Sequence, residues 1–110
     1  MAARFEIASG WTAIIPFALK INGVMATSFS TQDVVELILR RPEGERVPTS
    51  GDVVLIASAT STYNCTYTPG PNDLRVAPNP YLARFKVTDG GGKVQYFPHA
   101  AADEWLIHSA

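Results

Sequence analysis

Four side chains near the C-terminus have the types that bind metal or move protons: His99, Asp103, Glu104 and His108. Two imidazoles with carboxylates between them would suit zinc. The histidines, nine residues apart, match neither the HExxH helix nor a compact zinc pattern, and solvated connector positions explain them better. Asp89 beside Gly90-Gly91-Gly92, and the pair Asn72-Asp73, offer oxygens of the calcium-ligand kind. Neither stretch supplies the repeated acidic ligands of a calcium loop, and turn chemistry accounts for both. No metal and no cofactor is expected.

Covalent chemistry fares no better. Cys65 alternates in phase with Tyr63 and Tyr67, which is the place of a small buried hydrophobe. No Gly-x-Ser-x-Gly elbow is present to raise a serine nucleophile. Glu43 and Glu45 sit in a turn. The triple glycine lacks the following helix and the lysine–hydroxyl pair of a phosphate loop. Asn64-Cys65-Thr66 fits the glycosylation acceptor pattern, but the start Met1-Ala2-Ala3-Arg4-Phe5-Glu6 does not read as a signal peptide, so the match is taken as accidental. The chain is expected to hold no catalytic residue, to be no enzyme and to take no small-molecule ligand.

The aromatic residues raise a different chemistry. Trp11, Trp105, Tyr81, Phe85, Tyr96 and Phe97 could stack on sugar rings, although those in phase with apolar neighbours suit a core better. Tyr96 and Phe97 are adjacent and must point to opposite faces of a strand. One of them therefore lies outside the core face, and with Trp105 and Ile14 this predicts an apolar patch of the kind that marks an interface.

The elements that must position these residues are strands. Residues 81–88 place Tyr81, Ala83, Phe85 and Val87 on one face and Arg84, Lys86 and Thr88 on the other. This is the period of two of a half-buried strand. Asp89-Gly90-Gly91-Gly92 turns the chain, and residues 93–98 return as a hairpin partner. Upstream, residues 3–8 read as a short strand with Phe5 and Ile7 together. Residues 11–21 put Trp11, Ala13, Ile15, Phe17, Leu19 and Ile21 on one face, with Pro16 pointing to an edge or a bulge. Asn22-Gly23 is a favoured hairpin turn, and residues 24–29 pair back briefly.

Residues 34–41 alternate as a strand. Ser30-Thr31-Gln32-Asp33 could cap a short helix there, but the β-branched residues and Pro42 favour the strand. Residues 46–50 read as irregular or edge-like. Residues 52–59 and 62–68 are further strands. Residues 69–80, with four prolines, form a loop anchored by Leu74 and Val76. Residues 99–104 connect, with room for one helical turn, to a last strand at 105–108. About seven to nine short strands separated by turn signals predict an all-β antiparallel sandwich. A chain of 110 residues makes one domain.

Composition narrows the function classes. Charged residues make up 17% of the chain, against roughly a quarter in a typical soluble domain. That shortage suggests a surface partly covered by something else. The net charge of −1 offers no basic stripe for phosphates, so no nucleic acid is expected. No apolar run is long enough to cross a bilayer, so no membrane is expected either. One cysteine excludes an internal disulfide. The expectation is a soluble protein made in the cytosol.

Several stretches taken in order carry a family resemblance. Leu19-Lys20-Ile21-Asn22-Gly23-Val24 is a strand followed by a glycine turn. Leu37-Ile38-Leu39-Arg40 followed by Pro42-Glu43-Gly44 has the form Leu-x-Leu-Arg with a Pro-Asp-Gly-like turn. Residues 63–74 give an aromatic strand, the ending Tyr67-Thr68-Pro69 and Asp73-Leu74. Residues 81–98 give the long hairpin. This order resembles the immunoglobulin-like domains at the N-terminus of phage baseplate upper proteins and the small stand-alone tail proteins similar to them, over about residues 10–108.

The resemblance implies an immunoglobulin-like sandwich and a virion structural protein, made in the host cytoplasm. Its partners would be tail, neck or capsid proteins and further copies of itself. The family's usual C-terminal receptor-binding or fibre-attachment extension has no counterpart here, which favours a connector, adaptor or capsid-decoration role. The docking ends are expected at residues 1–9 and 99–110. The contacting side chains are expected to be Phe5, Ile7, Trp11, Ile14, Leu74, Phe97, Trp105, Leu106 and Ile107.

Overall fold

A computed structural model describes residues 4–21, 24–26, 29, 32–56, 63–77, 79–98 and 101–109. The predicted Asn22-Gly23 turn, Ser30 and Thr31 of the alternative helix cap, and His99 lie outside the described residues.

Residues 81–88 carry the longest strand, and their alternation is realised without a fault. Tyr81, Ala83, Phe85 and Val87 are each at most 3% exposed, and the residues between them are half-buried. Numbered along the chain, the strands are β1 (Arg4–Ala8), β2 (Ile15–Phe17), β3 (Lys20–Ile21), β4 (Val24–Met25), β5 (Val34–Arg40), β6 (Arg46–Val47), β7 (Asp52–Leu55), β8 (Cys65–Thr68), β9 (Tyr81–Thr88), β10 (Val94–Phe97) and β11 (Asp103–His108). The all-β sandwich expected from the turn spacing is therefore the observed fold, with β5 a strand rather than a helix.

The larger sheet runs β1-β11-β9-β5-β6, and the smaller runs β2-β8-β7. β5 pairs with β9 along its whole length, from Val34↔Thr88 to Arg40↔Leu82. The other edge of β9 is shared. β10 covers Phe85 to Thr88, and β11 covers Tyr81 to Ala83. One closing strand is thus split in two, and the cis Phe97–Pro98 peptide lies at the split. The β3–β4 ladder stands apart from both sheets, with Ile21 opposite Val24.

One pairing departs from the expected antiparallel scheme. β1 lies parallel to β11, from Arg4↔Glu104 to Ala8↔His108. Parallel neighbours need a long crossover, and here the whole domain supplies it. The last strand also begins at Asp103, two residues before the alternating pattern suggested.

The arrangement is that of an immunoglobulin-like sandwich. β2, β8 and β7 take the places of strands B, E and D. β5, β9 and the β10/β11 strand take those of C, F and G. A tyrosine corner supports the assignment. At the start of β9 the Tyr81 hydroxyl donates to the carbonyl of Arg75, 3.2 Å away, as a corner tyrosine does at the entry to strand F.

An aromatic stack fills the space between the sheets. Phe17 lies parallel to Trp105, with centroids 5.3 Å apart and planes 7° from parallel. Phe5 meets Phe17 edge-on at 5.6 Å, and Phe85 and Tyr67 pack against the same pair. Such pairs add about 0.5–1.5 kcal/mol each beyond the area they bury. Gly51 is required where β7 starts: a Cβ there would meet the Thr68 carbonyl oxygen at 2.1 Å.

Candidate docking surface

Because successive side chains alternate, the outer face of the larger sheet is built from the residues the core does not use. Pairing in register sets them in rows. Val34, Thr88 and Val94 form one row across β5, β9 and β10. Glu36, Lys86 and Tyr96 form the next, followed by Ile38 beside Arg84. Val34 is 64% exposed, Val94 44% and Tyr96 39%. Val94 and Tyr96 are successive outward residues of β10, and Val34 lies across Thr88 from Val94, all at one end of the sheet.

The charges on this face are organised around the apolar row. The Arg84 guanidinium lies over the Tyr96 ring, 4.9 Å from its centroid. Its Nε and Nη2 also donate to the Pro98 carbonyl, at 3.2 and 3.1 Å. A cation–π contact thus ties Tyr96 to Arg84. Glu36 pairs with Arg46. The hydrogen bond from Arg46 holds the Glu36 carboxyl below its usual range, with Lys86 adding to the effect.

The turn beyond the row is held by its own acidic residue. Asp89 Oδ1 accepts from the amides of Gly91 and Lys93, each at 2.9 Å. Gly92 there has φ 85°, a conformation that glycine adopts without strain. Asp89 thus serves the loop. Among the described residues no three His, Cys, Asp or Glu side chains gather as a metal site would need.

The expected contact residues divide into two groups. Trp11 and Ile14 are exposed, at 45% and 63%, and Leu106 is half-buried on the outer face of β11. Phe5 is half-buried against the aromatic stack. Ile7, Leu74, Phe97, Trp105 and Ile107 belong to the core instead. This corrects the expected patch. Of the Tyr96–Phe97 pair, Phe97 is the inward one, packed edge-on against Phe29 at 5.9 Å. Trp105 is fully buried because β11 lies between β1 and β9 rather than at an edge. The C-terminal strand is an inner strand of the sheet, not a free docking end. Trp11 to Ile14 carry no strand, and Val76, expected as an anchor, is exposed.

Two polar residues that looked like turn or acceptor positions are buried. Asn64 has no exposure. Its amide donates to the Leu19 and Ala26 carbonyls at 3.0 and 2.8 Å, and its Oδ1 accepts from Leu19 N at 2.7 Å. A side chain so occupied cannot be a glycan acceptor in the folded protein.

Asp73 is the second. Its Oδ1 accepts from the Ser50 amide and hydroxyl, and its Oδ2 from the Gly51 and Gly70 amides and the Tyr67 hydroxyl, all within 2.7 to 3.1 Å. Burial pushes this carboxyl up, but the Tyr67 hydroxyl and the Ser50, Gly70 and Gly51 amides outweigh it and hold it at about 2. Burial and the Asp73 charge push the Tyr67 phenol up. Burial alone raises the Cys65 thiol to about 12, so it is no nucleophile in the native protein. The one sequence signal for Asp73 was its place three residues after Gly70, in a loop that must fold back on its neighbours.

Comparisons with protein-family models, with curated proteins and with solved structures return no match.

Proposed function

We propose that this chain is a non-enzymatic structural module of a tailed-phage virion: a tail, baseplate or neck connector that works by docking on other virion proteins and on copies of itself. The virion setting rests on the ordered motifs that resemble the baseplate upper-protein domains. The docking mechanism rests on one structural observation: exposed Val34 and Val94 flank Thr88 on the outer sheet face, with exposed Tyr96 and its partner Arg84 next along the strands. Tyrosine and arginine are among the residue types that dominate protein–protein contacts. Among the described residues β1 and β6 are edge strands of the larger sheet, and an edge offers backbone groups onto which a partner strand can pair.

A capsid-decoration protein would use the same surface in the same way and is the nearest alternative. A carbohydrate-binding module gains less support. The face of Tyr96 that a sugar would stack on is shared with Arg84, and Trp11 ties its indole nitrogen to the Ala13 carbonyl at 3.0 Å.

The test is solution mass by light scattering across a concentration series, with immobilised protein offered purified virion proteins in parallel. A stable trimer or hexamer, or retention of one tail, neck or capsid protein, supports the reading. A monodisperse monomer at high concentration that retains no virion protein overturns it.

A further inference from the structure

At the other end of the larger sheet, a cleft of about 500 Å³ opens between β6, the start of β9 and the loop before it. Arg41 and Arg75 line it, with Thr49, Ser50, Asn72 and Tyr81 between them. The Arg41 guanidinium lies 5.6 Å from the centroid of the Tyr81 ring. The hydroxyl of the same tyrosine bonds to the backbone of Arg75. Arg75 Nε donates to the Asn72 carbonyl at 3.2 Å, which holds the side chain and leaves its outer nitrogens to donate. Among the described residues neither guanidinium is paired with a carboxylate.

The acidic residue in the wall does not neutralise them. Both oxygens of Asp73 are taken by the five donors already described. Glu43 and Glu45 belong to the neighbouring hairpin loop and do not line the cleft. The cleft therefore holds two cations against one saturated anion, with hydroxyl and amide groups beside them.

We propose that this cleft is an oxyanion site that takes a carboxylate of an acidic segment on a partner polypeptide. A planar guanidinium offers two parallel donors to a carboxylate, and stacking on Tyr81 orients Arg41 for it. That the carboxylate belongs to a protein rests on the docking reading above. The site lies roughly 23 Å along β9 from the Val34–Thr88–Val94 row, at about 3.3 Å per residue. A connector needs two contact regions, and the fold offers an apolar one and a cationic one at opposite ends.

The experiment is a titration of the isotopically labelled chain followed by amide NMR, with triglutamate peptide and, separately, inorganic phosphate as probes. Saturable shifts with triglutamate at residues 49–51, 70–75 and 81, weakened about tenfold in Arg75→Ala and by added salt, support the proposal. Arg75→Lys keeps the charge without the fork and falls between the two. Arg41→Ala is read beside its thermal melt, because it also uncovers Tyr81. Absence of saturation overturns the site, as do shifts that persist unchanged in both alanine variants. Saturation with phosphate but not with triglutamate overturns the carboxylate assignment. The titration needs no virion partner, so its failure is distinct from failure of the light-scattering and retention test.

Discussion

Asn64 hydrogen-bonds both backbone groups of Leu19, a residue 45 positions earlier in the chain. Its carboxamide stands in for the peptide of a neighbouring strand just where β2 has ended and the Leu19 amide would otherwise be buried unpaired. The third bond, to the Ala26 carbonyl, ties in the return strand. One side chain thus joins the start of β8 to two segments that do not belong to its sheet.

Asn64→Leu is expected to destabilise the domain by about 2–4 kcal/mol, because the Leu19 amide and the Ala26 carbonyl lose the Asn64 carboxamide inside the core, while the Leu19 carbonyl keeps the Ala26 amide at 2.9 Å. Urea unfolding followed by tryptophan fluorescence measures it. A loss under about 1 kcal/mol would mean that the backbone finds other partners.

Asp73 makes stability depend on acid. Its folded pKa, about 2, lies below the unfolded value near 3.8. Its contribution is present above the unfolded pKa and is lost as pH falls through the folded one. The shift corresponds to about 2 kcal/mol at neutral pH. Asp73→Asn should be less stable at pH 7 by at least that order and should lose part of the acid slope between pH ~4 and ~2. Thermal melts of both proteins across that range decide it. Parallel curves would refute the assignment.

Tyr81→Phe removes only the hydroxyl of the tyrosine corner. A cost of about 1 kcal/mol is expected, with an unchanged denaturant slope because the ring still packs. A cost near zero would mean that the bond to Arg75 is decorative.

Cys65 should resist a thiol reagent in the folded protein. It is fully buried, and its thiol is raised to about 12. Labelling at pH 8 should proceed only as fast as the domain opens, and at once in denaturant. Fast labelling of the native protein would place Cys65 nearer the surface.

Tyr96→Ala and Val94→Lys should leave the melting temperature nearly unchanged, since both side chains are exposed. Each should weaken self-association or partner retention by about tenfold or more. Full retention by both variants would move the docking surface elsewhere.

Much of the fold is legible in the chain itself. The alternation at 81–88, the glycine turn and the return strand all stand as read. So does the pairing of Phe5 with Ile7 on one face of β1, where the first is half-buried and the second buried. The docking surface was harder. Tyr96 and Phe97 were known to face opposite ways, yet nothing in the local pattern said which faced the core. The local pattern puts Trp105 in an outside patch, whereas the fold makes it the centre of the aromatic stack.

The difference lies in the range of the interactions. A strand's period of two is set by its own backbone, so the set of residues sharing a face can be read from the chain alone. Which face is buried, and whether a strand is inner or edge, depends on partners distant in sequence. β1 and β11 meet from opposite ends of the chain, and their pairing turned an expected docking tail into core. Asn64 and Asp73 follow the same rule: their amide and carboxylate chemistry was visible, but their bonding partners came together only when the chain folded back on itself.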